Sequence, residues 1–97
     1  MEISGSKALV TGAASGIGRA ISLKMSEAGA RLFLTDINAS GLEQTRRMIT
    51  DRGGEVLVSL PLDIGDFSGV KGLADTIHSR FGPLDILVNV AGIAIFS

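Results

Sequence analysis

Hydrophobic and polar positions follow two alternating periods along the chain. Short runs rich in apolar residues, each of strand length, occur at residues 7–11, 31–36, 55–60 and 85–90. The first run is almost wholly apolar, which is typical of a strand that is covered on both faces. The segments between them carry apolar residues at spacings of three and four, which predicts three amphipathic helices. The chain therefore reads β-α-β-α-β-α-β, which predicts an α/β fold with a parallel sheet and helices on both faces.

The first helix is predicted to begin at Gly16, directly after a glycine-rich turn. Its expected buried stripe contains residues at helical spacing: Ile17, Ala20, Ile21, Met25 and Ala28. Gly29 follows and is suited to end the helix in a left-handed conformation.

The second helix is predicted to start with a capping box formed by Ser40 and Glu43. Gly53 and Gly54 would end the helix. Its mostly apolar face would contain Leu42, Thr45, Met48, Ile49 and Arg52.

Asp66 is the expected cap of the third helix. That helix would end at Gly82 and Pro83. Its buried side would contain Val70, Leu73, Ala74, Ile77 and Phe81.

Right-handed crossovers place the four parallel strands in the order 3-2-1-4, with three crossover helices. The chain then reverses direction between the first and fourth strands, and ligands bind at such a reversal. The fourth strand is apolar on both faces and would leave an open edge.

The glycine-rich turn between the first strand and the first helix points to phosphate binding. It follows the pattern TGxxxGxG, with glycines at Gly12, Gly16 and Gly18. Gly12 would permit a tight exit from the strand, and the other two would let pyrophosphate and the neighbouring strand come close. Free amides at the start of the helix would face the anion. No Gly-Lys-Ser/Thr follows, so a Walker phosphate loop is excluded.

Asp36 ends the second strand, eighteen residues after Gly18. At about this separation an acidic residue meets the adenosine ribose of a dinucleotide, and its carboxylate can accept bonds from both ribose hydroxyls. A 2′-phosphate would face this carboxylate as a like charge, so NAD is predicted over NADP. The alternative is an aspartate that caps the next turn.

Composition narrows the function classes. The formal net charge of the 97 residues is -1, which disfavours nucleic acid as a partner. The apolar runs are far shorter than a membrane span, so no membrane partner is expected. The absence of cysteine and the single histidine, His78, predict no metal site and agree with a cytoplasmic location.

On four segments the sequence resembles the short-chain dehydrogenase/reductase family. Residues 11–18 are similar to its TGxxxGIG turn, Asp36 to its NAD-selecting acid, residues 63–64 to its adenine-holding pair and residues 89–92 to its Asn-Asn/Val-Ala-Gly segment. The resemblance implies a Rossmann-like three-layer sandwich. It also implies that residues 1–97 form a single, partial dinucleotide-binding domain.

The family's site residues carry over to matching positions. Asp63 and Ile64 would hold adenine, and Ser15 and Ile17 would offer amides to pyrophosphate. Asn89 would steady the sheet, while Ala91 and Gly92 pass close to the cofactor's ribose. NADP-preferring members carry a basic residue where this chain has Ser15 or Ile37, which again favours NAD. Arg19 and Arg31 lie near enough in sequence to leave some use of NADP open.

The family's catalytic tyrosine and lysine have no counterpart, since the chain contains no tyrosine. The expected function is the NAD-binding portion of an oxidoreductase that transfers hydride between NAD(H) and an alcohol or carbonyl substrate. The catalytic half would be absent, this chain alone would be inactive, and a full-length form would take the substrate and form a homo-oligomer. The alternative is a finished, non-catalytic module that binds a nucleotide or a partner. A methyl-transfer domain also has an acid after strand two, but the turn spacing and residues 89–92 argue against it.

Overall fold

The structure is a computed structural model and describes residues 2–63, 67–90 and 94–96. Strands and helices alternate through most of these residues. In chain order the elements are β1 (Lys7–Thr11), α1 (Gly16–Glu27), β2 (Arg31–Asp36), α2 (Ala39–Asp51), β3 (Glu55–Pro61), α3 (Phe67–Phe81), β4 (Ile86–Asn89) and β5 (Ala94–Phe96).

The strands form one sheet in the order β3-β2-β1-β4-β5. The first four are parallel, so the predicted order 3-2-1-4 with three crossover helices is confirmed. The fifth strand was not predicted. It pairs antiparallel with β4, and the expectation of an open edge along β4 is therefore wrong. Pairing supplies partners for backbone groups that an open edge would leave exposed.

Helices pack on both faces of the sheet, and alternate side chains of each central strand point to opposite faces. On one face Ala8, Val10 and Leu32 join a core cluster that includes Met25 of α1 and Ile49 of α2. On the other face, Ile77 of α3 packs with Leu9 and Phe33 in a smaller cluster. The ring of Phe81, at the end of α3, packs edge-on against Phe33 with centroids 5.1 Å apart.

The predicted buried stripe of α1 is only partly correct. Met25 is buried, but Ile17, Ala20 and Ala28 are exposed. The buried side instead carries small residues, Gly18 and Ser22, next to Met25. Small residues let the helix lie close to the strands. A pattern of hydrophobic residues does not mark these positions, because glycine and serine are not strongly hydrophobic.

The capping box predicted for α2 is wrong. The cap is Asn38, whose side-chain oxygen accepts from the Gly41 amide at 3.1 Å. Glu43 instead accepts from Arg46, so its carboxylate is held on the helix surface. The predicted face is otherwise mostly buried, although Arg52 is exposed.

Glycines end the helices at the predicted places. Gly29 follows α1 with φ 94°, and Gly82 follows α3 with φ 90°, both in the left-handed region. Asp66, the expected cap of α3, lies outside the described residues. Among the described residues, no helix is both long and apolar enough to cross a membrane.

Candidate functional site

The turn between β1 and α1 closes on the carbonyl of Gly12. Gly12 has φ 73°, the left-handed conformation expected of a tight exit from the strand. The Ser15 amide and hydroxyl both donate to this carbonyl, at 3.1 and 2.7 Å. The Ser15 hydroxyl also accepts from the Gly18 amide at 3.0 Å, so Ser15 is the N-cap of α1.

Gly16 and Gly18 have different physical tasks in this turn. A Cβ on Gly18 would lie 1.9 Å from the Gly12 carbonyl oxygen, which no side chain could occupy without moving the backbone. A Cβ on Gly16 would meet nothing within 4 Å. Gly18 is therefore required by the packing of the chain on itself, whereas Gly16 leaves room at the start of α1.

The first turn of α1 offers amide donors to an anion. Helices leave their first amides without intrahelical partners. The Gly18 amide donates to the Ser15 hydroxyl, and the Ser15 amide donates to the Gly12 carbonyl. Within the part of the chain that the structure describes, the amides of Gly16 and Ile17 are the ones that remain, and a phosphate oxygen is a suitable acceptor for them.

Asp36 holds two backbone segments together at the end of β2. Its Oδ2 accepts from the Ala14 amide, in the glycine-rich turn, at 2.9 Å. Its Oδ1 accepts from the Asn38 amide, also at 2.9 Å. Through the second contact Asp36 caps the turn that follows β2, which is the alternative role predicted for it from the sequence. A carboxylate has about four acceptor positions, so both contacts leave capacity for the hydroxyls of a sugar.

Thr11 and Asn89 are joined at the ends of the two central strands. They are register partners in β1 and β4, and the Thr11 hydroxyl donates to Asn89 Oδ1 at 2.6 Å. Both side chains are buried. Asn89 thus ties β1 to β4 at the point where the strand order reverses.

Two further predicted residues, Ile37 and Asp63, follow the ends of β2 and β3. Ile37 is 70% exposed directly after Asp36, and Asp63 is exposed two residues beyond β3. The Leu62 amide donates to the Asp36 carbonyl at 3.0 Å, which brings the two strand ends together. Ile64, Ala91 and Gly92 lie outside the described residues.

The two arginines considered near the site both have acceptors elsewhere. Arg19 donates from Nε to the Thr45 hydroxyl at 2.9 Å and from Nη2 to the Gly41 carbonyl at 3.0 Å. Arg31 pairs with Glu55 at 3.3 Å. Arg31 begins β2 and Asp36 ends it, so the two lie about 16 Å apart at ~3.3 Å per residue.

Thr45 is a functional candidate that the sequence pattern does not distinguish from the buried face of α2. It is fully buried, and its hydroxyl donates to the Ala13 carbonyl of the turn at 2.9 Å. A threonine within the apolar face of α2 was the available signal, because a buried hydroxyl needs a partner.

Comparison with known proteins shows the family to which the chain belongs. Residues 6–97 match the family described as short chain dehydrogenase. The chain belongs to the short-chain dehydrogenase family. Among its curated relatives is the D-threitol dehydrogenase of Mycolicibacterium smegmatis, 43% identical over 93 residues, which covers 95% of this chain and 35% of the relative.

Solved short-chain dehydrogenases share the fold. One from Burkholderia phymatum, in complex with NAD, superposes with a TM-score of 0.76 at 33% identity over 90% of this chain and 31% of that protein. A metagenomic short-chain oxidoreductase in complex with NADP has the same TM-score and identity, over 90% of this chain and 39% of its own. The chain spans about a third of the length of the curated short-chain dehydrogenases it matches.

Proposed function

We propose that this chain is the NAD-binding portion of a short-chain dehydrogenase that transfers hydride between NAD(H) and an alcohol or carbonyl substrate. The observation that carries the proposal is the Asp36 carboxylate, fixed at the end of β2 by the Ala14 and Asn38 amides. A carboxylate held in this way next to a phosphate-binding turn is suited to accept from the adenosine ribose hydroxyls.

Charge favours NAD over NADP. A 2′-phosphate about 4 Å from the Asp36 carboxylate would meet a repulsion of up to about 4 kcal/mol at an effective dielectric constant of ~20. A cation could offset this repulsion, but Arg19 is bonded to α2 and Arg31 to Glu55. The places where NADP-preferring relatives carry a basic residue hold Ser15 and Ile37. The relatives include proteins in complex with NAD and with NADP, so this preference rests on the residues of this chain.

The glycine-rich turn would hold the pyrophosphate. The amides of Gly16 and Ile17 would donate to it, and the open space at Gly16 would admit it. Gly12, Ser15 and Gly18 would keep the turn in this shape through their mutual hydrogen bonds and close contact.

The other end of the cofactor site would be formed by the neighbouring strand ends. Asp63 and Ile64, after β3, would hold adenine, and the exposed Ile37 would lie beside the ribose-binding carboxylate. Asn89, Ala91 and Gly92, at and after the end of β4, would border the cofactor on the other side.

Bound NAD supplies an acceptor for hydride, and the chain's own residues supply its binding and orientation. A short-chain dehydrogenase also needs a proton donor or acceptor at the substrate oxygen, a role that the family gives to a tyrosine with a nearby lysine. The chain contains no tyrosine. We therefore propose that residues 1–97 form one partial dinucleotide-binding domain, and that the substrate is bound and turned over only by a longer form.

Calorimetric titration of the chain with NAD and with NADP tests the cofactor proposal. The expected result is measurable NAD binding, weaker NADP binding and a smaller difference between the two in Asp36→Ala. Asp75→Ala, which removes an exposed carboxylate from α3, is the matched control and should behave as the unsubstituted chain does. An unchanged preference in Asp36→Ala would overturn the ribose assignment.

The proposal about activity has a separate test. Nicotinamide absorbance followed with a panel of alcohols and ketones should show no turnover by the 97-residue chain. Reproducible turnover by the purified chain would contradict the proposal that a longer form is needed.

A further inference from the structure

A single peptide group in the glycine-rich turn is held from both sides. The carbonyl of Ala13 accepts from the Thr45 hydroxyl at 2.9 Å, and the amide of Ala14 donates to Asp36 Oδ2 at 2.9 Å. These two groups belong to the same planar peptide unit, so they turn together. The orientation that Thr45 imposes on the carbonyl therefore sets the direction in which the amide meets the Asp36 carboxylate.

Arg19 sets the direction of the Thr45 hydroxyl. Arginine has donors and no acceptor, so Thr45 Oγ1 must accept from Arg19 Nε, which lies 2.9 Å away. The single hydroxyl proton is then directed to the carbonyls of Ala13, at 2.9 Å, and Gly41, at 3.2 Å. The result is a chain of bonds with one polarity, from the Arg19 guanidinium to the Asp36 carboxylate. Bonds in such a chain strengthen one another.

The same contacts fasten α2 to the turn. Arg19 Nη2 donates to the Gly41 carbonyl at 3.0 Å. A Cβ on Gly41 would lie 3.0 Å from the Ala14 Cβ, so the first turn of α2 sits directly against the peptide that is held. Thr45 is fully buried between these elements, where an unpaired hydroxyl or carbonyl would be costly.

We infer that Arg19 and Thr45 are positioning residues that orient the Asp36 carboxylate for ribose recognition, through the peptide that joins Ala13 to Ala14. The inference rests on the proposed function of Asp36 as the ribose-binding acid. Neither residue needs to touch the nucleotide, because both act on the amide that holds the carboxylate in place.

The ratio of affinities for ADP and 2′-deoxy-ADP tests this inference, since the two probes differ by one of the two hydroxyls that Asp36 would bind. A bond to a charged acceptor contributes about tenfold or more to affinity, so the unsubstituted chain should prefer ADP by that factor. In Thr45→Val the ratio should fall towards one, because the carboxylate loses its fixed orientation. Thr45→Ser keeps the hydroxyl and should restore the preference.

Hydrogen exchange at the Ala14 amide, measured by NMR in the free chain, provides a readout that needs no nucleotide. Thr45→Val should accelerate this exchange, and Arg19→Met should do so to a smaller extent because the Thr45 hydroxyl remains. Thr50→Val is the matched control, since Thr50 lies on the same helix and its exposed hydroxyl donates to the Arg47 carbonyl. The control should change neither readout.

The outcomes separate this inference from the proposed function. A folded Thr45→Val chain with unchanged Ala14 exchange and an unchanged nucleotide ratio would overturn the inference. If Thr45→Val does not fold, unchanged Ala14 exchange in Arg19→Met would overturn it instead. Failure of the unsubstituted chain to bind either nucleotide would count against the proposed NAD function, and exchange at Ala14 would still decide whether the bonds act together.

Discussion

The Asp36 carboxylate accepts from the Ala14 amide at 2.9 Å, although the two residues are 22 positions apart in sequence. This contact joins the end of β2 to the turn after β1, so the residue proposed to bind ribose also holds the turn proposed to bind phosphate. In the proposed function, the same carboxylate therefore serves both the fold and the cofactor site.

The dual role of Asp36 predicts a loss of stability that does not require a cofactor. Asp36→Asn replaces one of the two acceptor oxygens by an amide donor, which would face the donor of Ala14 or of Asn38. We expect a loss of about 1–3 kcal/mol in the free energy of unfolding, the usual result of leaving a partly buried donor unpaired. Urea denaturation of the free chain measures it. Asp75→Asn should be close to neutral, and an equally neutral Asp36→Asn would contradict a structural role for the carboxylate.

Substitutions of Gly16 and Gly18, at the start of α1, should affect NAD affinity and stability differently. Gly16→Ala places a methyl group in open space, so stability should stay the same or rise slightly, while NAD affinity should fall about tenfold, or about 1.4 kcal/mol. Gly18→Ala forces a Cβ to within 1.9 Å of the Gly12 carbonyl oxygen and should cost about 1–3 kcal/mol of stability.

Thermal unfolding and NAD titration of both glycine variants provide the comparison. Gly72→Ala, an exposed position on α3 with nothing near its Cβ, is the control and should leave NAD affinity unchanged. A Gly16→Ala chain that binds NAD as well as the unsubstituted chain would show that the open space is not the pyrophosphate site.

The strands β1 and β2 were predictable from sequence because burial on both faces leaves a simple pattern. The bounds of β1 and β2 agree with the prediction, since Gly12 and Asp36 mark where the apolar runs stop. The short β5 could not be predicted in this way. Three residues are too few to display a period, and their pairing with β4 depends on the tertiary fold.

The start of α2 was harder to predict because more than one nearby residue could cap the helix. Ser40 and Glu43 have capping-box spacing, but Asn38 offers a side-chain oxygen two residues earlier, and Arg46 and Arg47 draw the Glu43 carboxylate away. The spacing of the glycines and of Asp36 was enough to indicate them as candidate cofactor-binding residues. The bond from Arg19 to Thr45 could not be predicted from spacing, because it joins side chains of two helices that are 26 positions apart in sequence.

The ion pair on α2 predicts a defined pH dependence. Hydrogen bonding from the Arg46 guanidinium, which donates from Nε at 2.9 Å, lowers the pKa of Glu43 from 4.5 to about 2. A carboxyl whose pKa is lower in the folded state stabilises the protein above its ordinary pKa, and this contribution is lost as pH falls through the folded value. Wild type should therefore exceed Glu43→Gln in urea midpoint at neutral pH, and the difference should shrink between pH 4.5 and about 2.

Because Glu43 and Arg46 are both partly exposed, the difference should be small and should decrease in high salt. Glu2→Gln is the charge-matched control. A Glu43→Gln difference that stays constant from neutral to acid pH would show that the ion pair does not contribute to the folded state.

The buried bond between Thr11 and Asn89 gives a stability prediction at the point where the strand order reverses. Thr11→Val keeps the shape and β-branching of the side chain but removes the hydroxyl that donates to Asn89 Oδ1 at 2.6 Å. With both residues buried, we expect a loss of about 1–3 kcal/mol. Thr76→Val removes an exposed hydroxyl that donates to the Gly72 carbonyl at 3.0 Å and should change stability by less than about 0.5 kcal/mol. Equal urea midpoints for the two variants would mean that the bond between β1 and β4 adds nothing beyond the strand pairing itself.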